Sequence, residues 1–282
     1  MIFNNDNMES EDKISIIICS KYSTLDQTLV SNIEKTIGVP YELIHIDNSL
    51  NQYSIFQAYN EGVTRAQYKN LCFMHEDVLF HSVDWGKSVI ETLKQKQIGM
   101  IGVLGSYFLG KYSLSWINPG IEMAGNILQG TSNGWRYKTI KTNNPNTYGP
   151  RVAVVDGLWL CIRKEWFDTQ QFHWDDKTFG GFHFYDLDMS MQVNQLGLEV
   201  QILPEVLIEH KSLGNRSESF YRDCVTFHRK WNSMLPFSTP NYPIPSEYET
   251  EDLLLLEKYL RLVYRKEKIR SKISCITKFF GR

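Results

Sequence analysis

No glycine occurs in the turn after the first apolar run of this chain, Cys19-Ser20-Lys21-Tyr22-Ser23. A dinucleotide site of the Rossmann kind needs a glycine-rich turn there, so that backbone can approach a pyrophosphate, and it is excluded. A GxxxxGK[ST] phosphate loop is missing from the whole sequence as well. Charge of one sign is also lacking: 30 Lys plus Arg against 32 Asp plus Glu leave −2, too weak a field to gather nucleic acid. Cysteine is sparse and unpaired. Cys19, Cys72, Cys161, Cys224 and Cys275 lie far apart with no CxxC, the pattern of reduced, mostly buried thiols in a cytosolic protein. No apolar run approaches the roughly 20 residues that span a bilayer, and the polar, acidic start MIFNNDNMESEDK does not read as a signal peptide. A cytoplasmic location is the expectation, with peripheral association at the inner face of a membrane left open.

What is present reads as α/β. At 282 residues, 42% hydrophobic and 22% charged, the chain suffices for one large or two small domains with a real core. ISIIIC (14–19) is a β-branched run suited to a strand buried on both faces. Ser23-Thr24 with Asp26 and Gln27 has capping-box character and opens a helix to about Ile37, which Gly38 and Pro40 stop. ELIHID (42–47), LCFMH (71–75) and IGMIGVLG (98–105) are further strands, alternating with helices over 53–67 and 83–96. Such alternation predicts a parallel, doubly wound sheet. From 106 to 150 Gly, Asn, Ser, Trp and Tyr dominate, and the stretch reads as irregular strands and loops. RVAVVDGLWLCI (151–162) restores strand character, with a helical turn at KEWF after it. DLDMSMQVNQLG (186–197) reads as a helix with acidic residues in its first turn, where they suit the dipole. EVQIL (199–203) and VLIEH (206–210) are strands, followed by a helix over 217–234, a Pro-rich connector (236–245) and a terminal helix from about 249 to 272.

Two clusters of ionisable side chains stand at element ends. One apolar strand ends abruptly in His75-Glu76-Asp77, and GGFHFYDLD (180–188) gathers a second set. Together they suggest a metal-held phosphate ligand and a general base, hence group transfer from an activated donor. With no glycine cradle, a divalent cation on Asp77 would neutralise a diphosphate. The other account of Asp77 is a polar strand end bonded to local amides. Aromatics, 13% of the chain with 15 Tyr and 7 Trp, suit sugar stacking and ordinary cores alike.

The succession SIIIC, ELIHIDNS, a helix carrying Asn60 and Gly62, and LCFMHEDV opens a longer pattern. VDGLWLCIRKEWF and FGGFHFYDLDMSMQVNQLGLEVQILPEVLIEH continue it. The ordered set resembles the inverting glycosyltransferases of family 2 with the GT-A fold, nearest a bacterial branch of capsule or surface-polysaccharide sugar transferases. The resemblance covers roughly residues 13–215. It implies an α/β fold with a mixed, mostly parallel sheet flanked by helices, and a C-terminal helical extension. It divides the chain into a disordered start (1–12), a glycosyltransferase domain (13–215, with a nucleotide-binding half 13–105 and an acceptor half 106–215) and the extension (216–282). The implied activity moves a hexose from a nucleotide-sugar donor, UDP-linked by expectation, to a glycan or lipid-linked hydroxyl.

Roles follow from the resemblance by position. Asp47 stands at the acidic residue that bonds the nucleobase, with a loop cap before Asn48-Ser49 as the alternative. His75-Glu76-Asp77 stands at the DxD motif, with His75 where a carboxylate is usual, and Asp77 is the metal carboxylate. His210 stands where a histidine often completes the metal shell, a hydrogen-bonded strand end being the alternative. Ser20, Asp47, Asn60, His75, Glu76 and Lys211 fall on the donor side, and Lys211 and Arg216 either pair with the diphosphate or stay solvated. Asp186 is the implied general base. The family's Glu-Asp-x-Asp reads here Tyr185-Asp186-Leu187-Asp188, which leaves Asp188 as a competitor and helix capping as the plainer account of both. Asp156, Gly157, Trp159, His183, Tyr185 and Asp188 fall on the acceptor side, Trp159 as a stacking face or as core. A mixed Asp/His/diphosphate shell suits Mn²⁺ better than Mg²⁺.

Other readings compete. A sugar-nucleotide pyrophosphorylase would need the glycine-rich turn that is absent. A non-catalytic nucleotide- or glycan-binding module descended from a transferase is kept alive by the substitutions at His75 and Tyr185. The terminal segment carries Leu253, Leu254, Leu256, Leu260 and Val263 near helical spacing beside a basic face. It either packs on protein or lies on an anionic membrane.

Overall fold

A computed structural model of the chain describes residues 12–114, 116, 123–130, 136–140, 149–212 and 218–245. The strands are β1 Ile14–Ser20, β2 Tyr41–Asp47, β3 Asn70–Met74, β4 Val78–Phe80, β5 Ile98–Gly102, β6 Leu104–Ser106, β7 Phe108–Leu109, β8 Met123–Gln129, β9 Arg136–Ile140, β10 Arg151–Val152, β11 Val154–Val155, β12 Trp159–Arg163, β13 Glu199–Ile202, β14 Ile208–His210 and β15 Phe237–Ser238. The helices are α1 Gln27–Thr36, α2 Ile55–Arg65, α3 Trp85–Leu93, α4 Glu165–Asp168, α5 Tyr185–Gln195 and α6 Glu218–Trp231. The helix expected over 249–272, with its membrane reading, lies outside the described residues, as do Arg216 and all of the start 1–12 except Asp12. Among the described residues no helix is long and apolar enough to cross a membrane.

A seven-stranded sheet in the order β10-β13-β5-β12-β3-β1-β2 forms the core. β1 pairs in parallel with β2 and β3, and β5 with β13, while β12 runs antiparallel between β3 and β5. Five strands therefore share one direction, and β10 and β12 oppose them. The sheet is mixed rather than all-parallel, because β12 returns from the far half of the chain instead of from a neighbouring helix. Its β-branched strands are buried as read: Ile14, Ile16, Ile17 and Ile18 are all sealed from solvent. α2 lies close against β1. Gly62 permits this, since a Cβ there would fall 2.3 Å from Ile17 Cγ2.

Helix starts differ in detail from the expected ones. α1 is capped by Asp26, whose carboxylate accepts from Thr28 N at 2.8 Å, and Ser23-Thr24 stay outside it. α2 carries a full capping box between Ser54 and Gln57. α5 has no side-chain cap; Phe184 at its N-cap is left-handed, with φ 64°.

A second sheet, β11-β6-β8-β14-β4 with β9 added on β8, was not legible as such. The run 98–105 reads as one strand and 151–162 as a stretch of strand character, yet each crosses between the sheets. Val103 separates β5 from β6, and Ala153 separates β10 from β11. The two crossings are tied together, Ala153 N donating to Ser106 O at 2.7 Å. Residues at such a corner are apolar on both sides, so alternation carries no mark of it.

Trp159 on β12 belongs to this core and not to an acceptor surface. It is sealed from solvent, edge-on to Trp85 at 6.0 Å and to Phe80 at 6.3 Å. Trp159→Ala is expected to lower the free energy of unfolding in urea by about 3–5 kcal/mol. A loss below about 1 kcal/mol in that measurement would contradict this placement.

Candidate functional site

The parallel register sets the site's floor. Ser20 at the end of β1 lies opposite Asp47 at the end of β2, and Ile18 opposite Met74, so His75-Glu76-Asp77 emerges beside Ser20. The Ser20 hydroxyl donates to the Glu76 carboxylate, with Lys21 Nζ 4.0 Å from the same group. Asp47 is exposed and accepts from Ser49 N at 2.9 Å, the loop cap foreseen as its alternative, and this bond holds its carboxyl below the usual value.

The second sheet then brings a distant histidine to that point. β14 pairs antiparallel with β4, placing His210 against Val78, and runs parallel to β8 beside Gln129. Lys211 N donates to Asp77 O at 3.1 Å, and Gly130 N to His210 O at 2.9 Å. The side chain of Lys211 is exposed. His210 Nε2 lies 3.6 Å from Asp77 Oδ1 and 3.4 Å from His75 Nδ1, and His75 Nδ1 lies 4.0 Å from Asp77 Oδ1. Burial and the neighbouring His210 depress the basicity of His75. Burial opposes ionisation of Asp77, but the two imidazoles and the Ser212 hydroxyl outweigh it and hold that carboxyl below its ordinary value. A neutral imidazole and an ionised carboxylate are the forms that coordinate cations. Ligand atoms 3.4–4.0 Å apart are spaced as neighbours around one ion at about 2.1 Å. The residues fit a divalent cation, and His75 lies with Asp77 and His210 in one such group.

From His75 the contacts lead to the second acidic cluster. His75 Nε2 and the Tyr185 hydroxyl are 2.7 Å apart. Tyr185 is clamped among Phe56, Tyr59 and Trp174, with centroids at 6.4, 5.7 and 6.1 Å. Gly157 makes room for it, because a Cβ there would sit 2.2 Å from the Tyr185 hydroxyl. Next along α5, Asp186 is 9% exposed and accepts from Gly157 N at 3.0 Å and Leu187 N at 2.9 Å. Burial, reinforced by the Asp156 charge, pushes its carboxyl up to about 7. Asp156 accepts from Leu158 N at 2.9 Å, fixing the tight loop between β11 and β12.

His75, Asp156, Gly157, His183, Tyr185 and Asp186 line one cavity of about 220 Å³. Leu114, Trp116, Phe182 and Phe220 help to wall it. Sequence reasoning gave these four no role. Trp116 was visible only as part of an aromatic-rich loop, and Phe220 carried no signal. His183 lies edge-on to Phe220 at 5.1 Å, and burial lowers its basicity.

Asp188 and Asn60 are not in this group. Asp188 is 1% exposed and fully engaged, by Lys230 Nζ at 2.8 Å, Trp231 Nε1 at 2.8 Å and Gln192 Nε2 at 2.9 Å. It ties α6 to α5, and neither it nor Asp186 caps the helix. Asn60 donates to Trp174 O at 2.8 Å and lines a separate hollow with Phe167, Trp174 and Asp175.

The sequence profile of a glycosyltransferase-like family matches residues 15–222. The chain belongs to that family. Among solved structures it resembles GalNAc-T7 with UDP, GalNAc and Mn²⁺, at TM-score 0.51 and 14% identity, over 76% of this chain and 47% of that one. It also resembles S. aureus TarS 1–349 in complex with UDP-GlcNAc, at TM-score 0.51 and 10% identity, over 92% of this chain and 77% of that one. The chain thus spans about half the length of the GalNAc-T7 chain, and at these identities the likeness is one of fold. A search of curated proteins found no match. For this glycosyltransferase-like chain, the mixed sheet flanked by helices is the GT-A architecture of those neighbours.

Asp186 gives a pH test. A carboxyl raised from 3.8 to about 7 in the fold makes the folded state hold the extra proton, so the contribution of Asp186 to stability is greatest below about pH 4 and falls as pH rises to about 7. Asp186→Asn should remove a decline on the order of 4 kcal/mol, seen as a flatter dependence of Tm on pH between 4 and 8. Parallel wild-type and variant profiles would mean that Asp186 titrates normally.

Proposed function

We propose that this chain is a metal-dependent glycosyltransferase that moves a sugar from a nucleotide-sugar donor to an acceptor hydroxyl with inversion. One observation carries the reading. His75, which meets Asp77 and His210, shares a single cavity with Asp186. The diphosphate of the donor sits against the His75–Asp77–His210 group, and the acceptor enters the aromatic-walled cavity. Asp186 accepts the proton of the attacking hydroxyl as its oxygen bonds to the anomeric carbon and the bond to the diphosphate breaks. The electron pair leaves with the nucleoside diphosphate. A divalent cation, when bound, offsets the charge growing on that leaving group, and Mn²⁺ suits two imidazoles and a carboxylate better than Mg²⁺.

Asp186 rather than Asp188 is the base, because Asp188 is spent on Lys230, Trp231 and Gln192. A hydrophobic enclosure that lifts a carboxyl to about 7 matches it to proton transfer near neutral pH. Ser20, Glu76 and Asp47, side by side at the strand ends, contact the nucleotide. UDP is the favoured nucleotide and a hexose the transferred sugar, by analogy with the ligands of GalNAc-T7 and TarS. The acceptor is a glycan or a lipid-linked sugar of a capsule or surface polysaccharide, met in the cytoplasm.

Calorimetry with UDP and Mn²⁺, followed by UDP release from a panel of UDP-sugars, tests this. Asp77→Ala should abolish Mn²⁺-dependent UDP binding. Asp186→Asn should keep UDP affinity within about twofold and lose about 10²–10⁴ in UDP release. Wild-type activity in both variants would end the proposal. Wild-type protein that binds UDP yet turns over no donor is a non-catalytic module instead.

A further inference from the structure

The family 2 pattern that the sequence resembles has a carboxylate where this chain has His75 and a glutamate where it has Tyr185. In space these two departures are partners: His75 Nε2 and the Tyr185 hydroxyl are 2.7 Å apart. We propose that Tyr185 is a positioning residue for the cation site, its phenol oxygen accepting the Nε2–H of His75 so that Nδ1 is left as the ligand lone pair. This rests on the metal-dependent reading above and goes beyond it.

The argument starts from imidazole's two nitrogens. A neutral ring carries one proton, and only the bare nitrogen can ligate. His75 Nδ1 faces Asp77 and His210, at 4.0 and 3.4 Å, so it is the nitrogen that must be bare. The proton then sits on Nε2 and needs an acceptor, and the Tyr185 oxygen is the one there. Metal-binding histidines are oriented in this way by an oxygen on the second nitrogen, commonly a carboxylate, carbonyl or water. Left alone, His75 has a competing tautomer in which Nδ1–H points at His210 Nε2 and the two rings satisfy each other without a cation.

The phenol cannot turn away. Phe56, Tyr59 and Trp174 hold its ring, and Gly157 lies directly against its hydroxyl. Tyr185 also immediately precedes Asp186 on α5. One side chain thus ties the cation ligand to the helix that carries the base, and the two substitutions are explained as a pair.

Titration of the protein with Mn²⁺ alone, then with Mn²⁺ and UDP, tests the assignment. Tyr185→Phe keeps the ring and removes the oxygen, and should weaken Mn²⁺ binding about 10- to 100-fold with an unchanged circular dichroism spectrum. Tyr185→Glu supplies a pure acceptor and should restore binding to within a few-fold of wild type. Nitrogen-15 spectra of wild type with diamagnetic Zn²⁺ should show His75 protonated on Nε2 and ligated through Nδ1, a readout that needs no variant. Equal Mn²⁺ affinity in wild type and Tyr185→Phe, or a His75 protonated on Nδ1 in the Zn²⁺ form, overturns the positioning role and leaves the transferase reading standing. Wild type that binds neither Mn²⁺ nor Mn²⁺ with UDP overturns both.

Discussion

The pairing of β14 with β4 is the constraint on which the site depends. Three residues, Ile208 to His210, lie antiparallel to Phe80 to Val78, and the backbone beyond them is held by Lys211 N on Asp77 O. Nothing in the local sequence asks residue 210 to approach residue 77. The ladder imposes it, and with it the meeting of two imidazoles and a carboxylate within 4.0 Å. Side chains on strand ends are more sharply placed than those on free loops, and a cation site needs that precision.

Burial does the rest of the chemistry by treating two neighbouring aspartates differently. Asp186 turns to the cavity, where loss of water and the nearby Asp156 charge lift its carboxyl to about 7. Asp188 turns inward to Lys230 and Trp231 and serves to fasten α6 to α5. Two positions apart on a helix, they cannot share a face. The same fold thus leaves one of them as a raised carboxyl facing the cavity and makes the other a strut.

Much of the first half was legible because buried parallel strands announce themselves. Ile14 to Ile18, the run through Asp47 and the helix over 53–67 needed only local chemistry to read, whereas the Ser54–Gln57 box that opens α2 is seen only in the structure. The helix read over 186–197 was legible from its acidic first turn and spans Tyr185–Gln195 in the structure. The second sheet was not, since Val103 and Ala153 change sheets inside unbroken apolar runs. Choosing between Asp186 and Asp188 required Lys230, which is distant in sequence and carries no mark of its destination. At His75 the sequence marks only a departure from DxD, and its meeting with His210 and Tyr185 depends on the fold. Asn60 and Trp159 were placed by order along the chain, which says nothing about which way a side chain faces. Trp159 points into the core, and Asn60 holds the Trp174 carbonyl.

The central claim is that His75, Asp77 and His210 together form a cation site at the mouth of the Asp186 cavity. Anomalous diffraction at the manganese edge, from crystals grown with Mn²⁺ and UDP, addresses it directly. The account predicts one strong peak at about 2.0–2.3 Å from a nitrogen of each histidine and from an Asp77 oxygen, with the diphosphate on its open side. A peak bound elsewhere, or none at these three side chains while UDP is present, would contradict it.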